Sequence, residues 1–565
     1  MPTLTIDQQR LTFEPGETIL NVATRAGLSI PTLCHLKGIE PPTSCYVCVV
    51  KIKGRAALVP SCATLAEEGM IVESETEEVR TYRKRALELL LSEHAGDCEG
   101  PCRRICPADL DIPVMASQIV AGDLEGAHRT VRERLALPGV LGHICIAPCE
   151  KGCVRVAVDG TVTIRDLHKG VAEAAMRSGC ETHPSIAPSS GKRVTIIGAG
   201  PAGLCSAYYL SLLGHACTIV DEREEPGGLL RYGCEPSLLP REILDHEISL
   251  IQSLGVQFEM KCSVRDPQTL DALLERSDAL LFATGAWPLE HPWPFAIATS
   301  PKGITIDSKT FETNQKKVFA CGNAVAATTR LAVRAVGQGR LAALSIHAFL
   351  TGQAHALASS VRTDSRLGKL EAEELRQLVS SDLASLPLEL RKAGSFVLPL
   401  VESASRCLQC DCGKKEACAL RTYSQEYEAE RDHYRTGKRK QVKRKRYSSG
   451  LVHEPGKCIN CGRCIGITAS AHAQPGLAFN NRGFDVTVKA PFNSDMDTAM
   501  GSSLDKCIHA CPVGALWKAK ESRNGTNGTD ETNGTYEAAA IDHTSHRSHK
   551  PHKSHSSFML SRVCS

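Results

Sequence analysis

Cysteine spacing constrains this chain more than any other feature of its sequence. The chain has 26 cysteines in 565 residues, and most of them stand in short groups. The grouped positions are 34/45/48/62, 98/102/106, 145/149/153, 407/410/412/418, 458/461/464 and 507/511. In a reducing compartment, cysteines in such groups bind metal more often than they form disulfides. We therefore expect several metal centres, distributed along the whole chain.

The first residues and the overall composition exclude several classes of protein. The start MPTLTIDQQR has no basic stretch followed by an apolar one, and no apolar run approaches the roughly 18 residues of a membrane-spanning helix. We therefore expect a cytoplasmic chain with no transmembrane segment. The formal net charge of +3 is small for this length, so charge does not indicate an acidic partner such as nucleic acid.

Changes of composition divide the chain into segments. A chain of this length predicts three to five domains at roughly 150 residues each. The Pro/Ser-rich stretch THPSIAPSSGK marks one boundary, and the stretch beyond 521 has almost no apolar periodicity, which predicts disorder. The predicted segments are 1–78, a helical metal-binding region 79–186, a nucleotide-binding domain 190–355, a helical linker 356–402, a Cys-rich segment 403–425, a C-terminal domain 450–520 and a disordered tail 521–565.

The first cysteine group follows a predicted hairpin, TLTIDQQRLTFEP, and a helix, GETILNVATRAG. Its spacing is C-x10-C-x2-C-x13-C, formed by Cys34, Cys45, Cys48 and Cys62. This arrangement resembles the β-grasp 2Fe-2S domain of the large iron-sulfur subunit of complex I, and of related formate dehydrogenases and iron hydrogenases. The resemblance implies that the four cysteines hold a 2Fe-2S cluster. Ser44 stands where that family usually has glycine.

The second and third groups lie in HAGDCEGPCRRICPADLDIP and HICIAPCEKGC. They resemble the N-terminal region of the glutamate synthase small subunit and of dihydropyrimidine dehydrogenase, where two 4Fe-4S clusters share ligands across two such groups. The resemblance implies one set of Cys98, Cys102 and Cys153, and another of Cys106, Cys145 and Cys149. Each set is one ligand short. His94, in an H-x3-C arrangement, is a candidate for the first set, and His168 is a candidate for the second.

A dinucleotide-binding motif follows, in RVTIIGAGPAGLCSAYYLSLLGHACTIVDERE. A strand leads into Gly198-x-Gly200-x-x-Gly203 and a helix, and a second strand ends at Asp221. These glycines permit the tight turn, the approach of a pyrophosphate and close packing of helix on strand, while the aspartate can bind ribose hydroxyls.

The later motifs EPGGLLRYG, LLFATGAW and VFACGNAV complete a resemblance to the FAD half of the glutamate synthase small subunit. That resemblance implies FAD contacts at Gly227, Gly228, Gly285, Gly322 and Asn323. Asn323 replaces the aspartate of the family, and Cys234 stands in a stretch that the resemblance puts near the flavin ring.

The second dinucleotide-binding domain of that family, for NADPH, has no room in this chain. Only 32 residues, 286–317, separate Gly285 from Val318, and such a domain needs on the order of 100. The only other match, Gly337-x-Gly339-x-x-Ala342, lies inside a predicted helix, where helix packing is the expected role. We therefore expect nicotinamide to act on this chain only through a partner.

The C-terminal domain begins with KCINCGRCIGITAS, in which Cys458, Cys461 and Cys464 match half of a two-cluster ferredoxin, but Thr468 takes the fourth cysteine position. By the exchange of ligands between the halves of such proteins, Cys511 completes the trio. Gly501 and Leu504 replace ligands of the other half, so we expect one 4Fe-4S cluster here. The domain resembles the corresponding one of complex I-like subunits.

Two segments between these domains have more than one interpretation. The group Cys407, Cys410, Cys412 and Cys418 is predicted to bind a further cluster or a zinc ion. The basic run 438–446 is expected to be a solvated linker, with docking of an acidic electron-transfer partner as the alternative.

Together these features predict a multidomain chain: a β-grasp 2Fe-2S domain, a helical 4Fe-4S domain, an α/β Rossmann-like FAD domain without the NADPH domain, and a C-terminal ferredoxin-like α+β domain. The function we expect is electron transfer between the clusters and FAD, in an oxidoreductase whose partners are other redox subunits or a ferredoxin-like protein. The alternatives are a self-contained small-molecule reductase and a scaffold whose cofactor sites have decayed.

Overall fold

The computed structural model describes residues 1–179, 184–287, 293–325, 331–353, 366–380, 397–434 and 439–519. The tail 521–565, which we expect to be disordered, lies outside the described residues. So do 356–365 and 381–396 of the expected helical linker.

The N-terminal region is a five-stranded sheet with one helix. Its elements are β1 (Thr3–Ile6), β2 (Gln9–Thr12), α1 (Ile19–Arg25), β3 (Val49–Ile52), β4 (Val59–Pro60) and β5 (Ile71–Glu73). The strand order is β2-β1-β5-β3-β4, in which only the β1–β5 pair is parallel. Leu4 and Ile6 point to the core, as the two-residue period of a strand requires, and meet Ile19 of α1 there. The predicted hairpin and the helix after it are both present.

Seven helices follow, most of them short. They are α2 (Glu77–Glu93), α3 (Pro101–Ile105), α4 (Ile112–Val120), α5 (Leu124–Arg132), α6 (Pro138–Ile144), α7 (Pro148–Lys151) and α8 (Ile164–Ser178). A proline in the first turn of α3, α4, α6 and α7 fixes where each begins. Cys106 and Cys145 directly follow α3 and α6 with extended backbone. Cysteines therefore stand at helix ends, where the chain changes direction.

The next region is a parallel five-stranded sheet of order β12-β9-β6-β7-β8, flanked by helices. Its elements are β6 (Arg193–Ile197), α9 (Pro201–Leu212), β7 (Ala216–Asp221), α10 (Leu229–Tyr232), α11 (Arg241–Ser253), β8 (Gln257–Met260), α12 (Pro267–Glu275), β9 (Ala279–Phe282), β10 (Thr299–Ser300), β11 (Gly303–Ile304), β12 (Val318–Ala320) and α13 (Ala332–Thr351). Nearly every residue of α9 is buried, since the helix lies between the sheet and α13.

The C-terminal part is α+β. Its elements are α14 (Ala372–Ser380), α15 (Val397–Ser405), α16 (Ala419–Glu426), β13 (Lys445–Arg446), β14 (Leu451–His453), α17 (Arg463–Ser470), β15 (Ala478–Asn480), β16 (Thr487–Lys489), α18 (Met496–Met500), α19 (Leu504–Ala510) and β17 (Leu516–Lys518). The strands form one antiparallel sheet, β13-β14-β17, and one hairpin, β15-β16.

Two apolar cores cross the boundaries between these regions. One contains Cys102, Cys145 and Cys149 together with residues of β6, α9 and α13. The other joins Cys34 and Cys45 to Leu87 of α2, to Cys418 and to Cys461. The buried Arg83 reinforces the second junction, because its guanidinium donates to the Val49 carbonyl at 3.0 Å and to the Tyr427 hydroxyl at 2.7 Å. Each core therefore places cysteines from distant segments side by side.

Across the described ranges, no helix combines the length and the apolar character needed to cross a membrane.

Candidate metal centres and dinucleotide site

The structure brings the four N-terminal cysteines together in one buried group, where the core of the β-sheet meets the core shared with the C-terminal region. Hydrogen bonds from the Cys45 and Cys62 thiols lower the pKa of Cys34 to about 2, and a hydrogen bond with Cys62 lowers the pKa of Cys48 to about 7. The backbone N–H of Ser44 also faces the Cys34 sulfur. Serine in place of the usual glycine therefore leaves a backbone amide directed at the group.

The C-terminal quartet also converges. Cys458, Cys461, Cys464 and Cys511 line one apolar cavity, with Val488 and Met496 among the other lining residues. Burial raises the pKa of Cys458 to about 11 and that of Cys461 to about 12, and the neighbouring Cys511 adds to both shifts. Cys511 directly follows α19, whereas Cys458 and Cys461 precede α17 and Cys464 lies in its first turn.

The position of a second C-terminal cluster is filled by protein. The Thr468 side chain is fully buried, donates within α17 to the Cys464 carbonyl at 3.1 Å, and accepts from the Leu477 N–H at 3.1 Å. Cys507 is also fully buried, in an apolar cluster with Met496 and Met500. These contacts leave Thr468 and Cys507 with packing roles.

The cysteines of the helical region lie in more than one neighbourhood. Cys106, Cys145 and Cys149 lie together, and the charge of Cys106 contributes, after burial, to raising the pKa of each of the other two. Cys98 lies just before α3 and meets the 407–418 segment, where its carbonyl accepts from the Cys412 N–H. The expected set of Cys98, Cys102 and Cys153 stays a prediction.

The 407–418 segment packs against the helical cysteine region. Cys407 and Cys410 lie beside Cys102, whereas Cys418 lies beside Cys98, whose carbonyl accepts from the Cys412 N–H at 3.2 Å. The choice between a cluster and a zinc ion at this segment stays a prediction. The sequence contained one signal of this packing. The helical groups lack two thiols for two complete clusters, while the four thiols of the 407–418 segment are assigned to neither.

Both candidate histidines are buried. His94 is 8 % exposed and ends α2 next to residues 456–457, where the Ala95 N–H donates to the Gly456 carbonyl. His168 is 4 % exposed on α8, and its Nδ1 has no hydrogen-bond partner. Burial lowers the pKa of His94 to about 3 and that of His168 to about 4, so both rings are neutral at physiological pH. Neutral imidazole is the form that ligates metal.

The Gly-rich turn after β6 has the shape that a pyrophosphate requires. A Cβ on Gly198, whose φ is +111°, would lie 2.5 Å from the Ala283 carbonyl oxygen, and a Cβ on Gly203 would overlap the Gly198 carbonyl oxygen. A Cβ on Gly200 would meet nothing within 4 Å. The open space therefore lies at the N-terminus of α9, where backbone N–H groups favour an anion.

The other candidate flavin residues surround this turn. Asp221 accepts from the Ala199 N–H at 2.7 Å and from the Arg223 N–H at 2.8 Å, which fixes its carboxylate at the end of β7. The Gly227 N–H donates to the Ala199 carbonyl, and Gly228 lies so close that a Cβ there would be 2.8 Å from the Gly200 Cα.

The last candidates stand at the carboxyl ends of the neighbouring strands. Gly285, with φ +76°, follows β9, and Gly322, with φ +68°, follows β12 and approaches Ala202. Asn323 is partly buried beside it, and Cys234 is partly buried against the core that contains the helical cysteines. The carboxyl edge of a parallel sheet is where such folds bind dinucleotides.

Gly337 and Gly339 serve helix packing, as expected. A Cβ on Gly337 would overlap the Pro107 carbonyl oxygen, and one on Gly339 would lie 2.5 Å from that of Ala202.

The basic run is not simply a solvated linker. Arg444 is 8 % exposed, donates to the Leu408 carbonyl at 2.7 Å and pairs with Glu454, and Arg439 pairs with Glu374. These arginines fasten the 407–418 segment and α14 to the C-terminal domain. Residue 438 of the run lies outside the described ranges.

Three family models match the chain. Residues 1–77 match the 2Fe-2S iron-sulfur cluster binding domain, residues 74–180 match the 4Fe-4S domain II of dihydropyrimidine dehydrogenase, and residues 196–260 match an NAD(P)-binding Rossmann-like domain.

Relatives include the NADP(+)-dependent formate dehydrogenase subunit beta of Moorella thermoacetica, 39 % identical over 33 % of this chain and 29 % of the relative. The NADPH-Fe(3+) oxidoreductase subunit beta of Geobacter sulfurreducens is 35 % identical over 36 % and 30 %. The NAD-dependent dihydropyrimidine dehydrogenase subunit PreT of Escherichia coli is 34 % identical over 35 % and 49 %. The chain thus spans less than half the length of each of these relatives.

The predicted 2Fe-2S domain, 4Fe-4S domain and Rossmann-like domain are therefore confirmed, and the C-terminal ferredoxin-like domain stays a prediction. The chain is a multidomain protein that joins a 2Fe-2S domain, a 4Fe-4S domain of the dihydropyrimidine dehydrogenase type and a Rossmann-like domain, and it is related to subunits of oxidoreductases.

Proposed function

We propose that this chain is an electron-transfer iron-sulfur flavoprotein, a subunit of a larger cytoplasmic redox complex. The observation that carries the proposal is the continuity of the two apolar cores, which place several cysteine groups and the dinucleotide-binding edge in one packed molecule. Electron transfer requires centres close to one another in a medium that excludes water, and these cores supply that medium. The finer architecture we propose is a β-grasp 2Fe-2S domain, a helical 4Fe-4S domain, an FAD domain and a C-terminal ferredoxin-like domain.

The donor sets fit the clusters that we assign to them. The N-terminal group supplies four free, buried thiols side by side, as a 2Fe-2S cluster requires: Cys34, Cys45, Cys48 and Cys62. Cys458, Cys461, Cys464 and Cys511 line one cavity and suit a 4Fe-4S cluster. His94 is proposed as a ligand in the set that contains Cys98, and His168 as a ligand in the set that contains Cys106, since both are buried and neutral.

The Rossmann-like domain fits FAD. Gly198, Gly200 and Gly203 would hold the pyrophosphate, Asp221 would accept a ribose hydroxyl on its remaining lone pairs, and Asn323 would face the ribityl chain. Bound FAD couples two-electron with one-electron chemistry, and the protein supplies orientation and electrostatics. Asn323 keeps hydrogen-bonding capacity without the charge of an aspartate.

Nicotinamide is proposed to act only through a partner subunit. Between Gly285 and Val318, the described residues contain the short β10–β11 hairpin and no strand-turn-helix unit. A nicotinamide ring stacked on the flavin needs such a unit to hold its pyrophosphate. The relatives named above are themselves subunits, which agrees with a partner that carries the missing site.

Anaerobic purification of the full chain, followed by iron, sulfide and flavin analysis, tests this proposal. We expect bound FAD, together with at least the roughly six irons of the N-terminal and C-terminal centres. A colourless, iron-free protein would contradict the proposal and support a decayed scaffold. Saturable turnover of a small molecule by the isolated chain would support a self-contained reductase instead.

A further inference from the structure

The segment 406–421 crosses the helical cysteine region and is fastened to it along its whole length. The Arg406 guanidinium donates to the carbonyls of Thr161 and Gly160, while the Arg406 carbonyl accepts from Arg155 at 2.7 Å. Further along, the Gln409 amide donates to the Pro113 carbonyl at 3.0 Å. These contacts hold the first half of the segment over the loop that follows α7 and the start of α4.

The second half of the segment is held by buried charges. Lys415 pairs with Asp111 at 2.7 Å, and Arg421 pairs with Glu99 at 2.9 Å. Glu99, Asp111 and Lys415 are all largely buried, and removing one partner of such a pair leaves an uncompensated charge. The position of the segment is therefore strongly specified, and with it the positions of its four thiols.

Four thiols from three segments meet at the centre of this junction. Cys102 of α3 is buried, and Cys153 and Cys407 pack against the same core. The 2.7 Å hydrogen bond from Arg155 to the Arg406 carbonyl holds Cys407 next to the segment of Cys153, and Cys410 follows three residues later. Burial raises the pKa of Cys102, and the thiols of Cys407, Cys410, Cys153 and Cys149 add to this shift. Cys102, Cys153, Cys407 and Cys410 are therefore the candidate set at this junction.

One further set lies on each side. Toward the C-terminal domain, Cys98 meets Cys412 and Cys418, and the Cys412 sulfur packs against Gly514. Toward the sheet, Cys106 meets Cys145 and Cys149. The three cysteines of C-x3-C-x3-C thus go to three different sets. Only Cys102 lies inside the short helix α3, and its two flanking cysteines lie outside it.

We propose that residues 98–153 and 407–418 together hold three 4Fe-4S clusters in a row, with Cys102, Cys153, Cys407 and Cys410 as the four ligands of the middle cluster. This inference rests on the proposed function, and it replaces two clusters plus a separate Cys-rich site. Each neighbouring pair of clusters has two short covalent links, Cys98–Cys102 with Cys410–Cys412 on one side, and Cys102–Cys106 with Cys149–Cys153 on the other.

The links fix how close the clusters are. Cys410 and Cys412 are two residues apart, so their Cα atoms are separated by no more than about 7 Å, although they serve different clusters. Clusters joined by so short a link lie close together, and we expect them to couple magnetically when reduced. The row leads from the C-terminal domain toward the Rossmann-like domain, which gives electrons a continuous path between the two cores.

Pairs of substitutions in the full-length, anaerobically purified protein test the assignment through iron content and Mössbauer spectra. Cys102→Ser and Cys407→Ser should each remove or alter the same cluster, so the double variant should lose no more than the about four irons of one cluster. Cys407→Ser combined with Cys418→Ser should affect two clusters, or about eight irons. Cys262→Ser, outside every group, is the matched control and should lose none.

The contrary results are specific. A loss confined to about four irons in the Cys407/Cys418 double variant, or a loss of zinc, would show a local site and overturn the inference. An additive loss in the Cys102/Cys407 double variant would do the same. If these variants do not fold, the wild-type protein decides: after reduction, its electron paramagnetic resonance spectrum must show coupling among 4Fe-4S clusters. Iron-free wild-type protein would refute the proposed function as well, whereas iron-loaded protein with the wrong pairing would refute only this inference.

Discussion

At the scale of single residues, two glycines in the turn after β6 have opposite surroundings. Gly203 faces the Gly198 carbonyl with no room for a methyl group, whereas Gly200 faces open space at the N-terminus of α9. Gly200 also has a φ of −80°, which any residue adopts. Gly203 is therefore required by the fold itself, and Gly200 by whatever fills the open space.

Substitution of these glycines separates folding from binding. We expect Gly200→Ala to fold normally and to bind FAD at least about tenfold more weakly, a loss of about 1.4 kcal/mol, because the methyl group takes the space of the pyrophosphate. Gly203→Ala should instead destabilise the fold by about 1–3 kcal/mol through overpacking. Thermal unfolding and FAD titration of both variants measure this, and unchanged FAD affinity in Gly200→Ala would contradict the assigned site.

Cys507 inside α19 and Cys511 directly after it give a matched pair for substitution. Cys511 lines the cavity with the Cys458 trio, whereas Cys507 is fully buried among apolar side chains. We expect Cys511→Ser in the full chain to lose about four irons, and Cys507→Ser to keep the wild-type iron content. Iron and sulfide analysis of the two variants is the measurement. Iron loss from Cys507→Ser alone would reverse the assignment of the two residues.

At the scale of elements, the Glu374 carboxylate ties α14 to residues 439–442. Glu374 pairs with Arg439 and accepts from the Val442 N–H at 2.9 Å, while Leu378 packs in a small core with Ala95 and Val442. The hydrogen bond from Arg439 is the main cause that lowers the pKa of Glu374 to about 2, against about 4.3 for an unperturbed glutamate. Because α14 is short and its apolar core is small, we expect the helix to depend on this clamp, the Glu374–Arg439 pair.

The sign of the pH effect follows from the lowered pKa. Since the folded state binds this proton more weakly than the unfolded state, the stabilisation is fully present above about pH 4.3 and is lost as the pH falls toward 2. At neutral pH, Glu374→Gln should reproduce that loss and raise hydrogen exchange in 372–380 several-fold. Glu373→Gln is the control, because Glu373 is exposed and contacts the exposed Arg376 and the Gln377 amide within the same helix. Equal exchange in the two variants would show that the clamp does not hold the helix.

At the scale of the whole molecule, the distribution of folded units limits which electron donors the chain can use. The parallel sheet and its helices supply one dinucleotide-binding edge, and the described residues between β9 and β12 add only a two-stranded hairpin. One edge accommodates one dinucleotide. With FAD in it, we expect hydride transfer from nicotinamide to need a second site, which we propose lies on a partner.

Stopped-flow absorbance of the purified chain tests this limit. We expect dithionite, or a low-potential iron-sulfur donor, to bleach the bound FAD readily, and NADH and NADPH to bleach it at least about a hundredfold more slowly, because no second site holds the nicotinamide ring on the flavin. Addition of the native partner subunit should restore fast reduction if the partner carries that site. Fast, saturable bleaching by either nicotinamide with the isolated chain would show that it is a complete reductase.

Local spacing determined those sites whose parts lie close together in sequence. Cys34, Cys45, Cys48 and Cys62 converge as their spacing suggested, and the Gly198 turn has the strand and helix that its motif requires. In these cases the ligands or backbone groups are fixed by one supersecondary unit. Spacing within that unit is therefore sufficient information.

The helical cysteines show what only the tertiary structure decided. In a continuous helix, cysteines four residues apart would share one face, but α3 spans only Pro101–Ile105, so Cys98 lies before it and Cys106 follows it on extended backbone. The 407–418 segment, which meets Cys98, lies some 300 residues later, and buried pairs such as Lys415 with Asp111 bring it into place. Sequence spacing identified the thiols, but long-range packing decided which of them meet, because a pairing between distant segments leaves no local pattern.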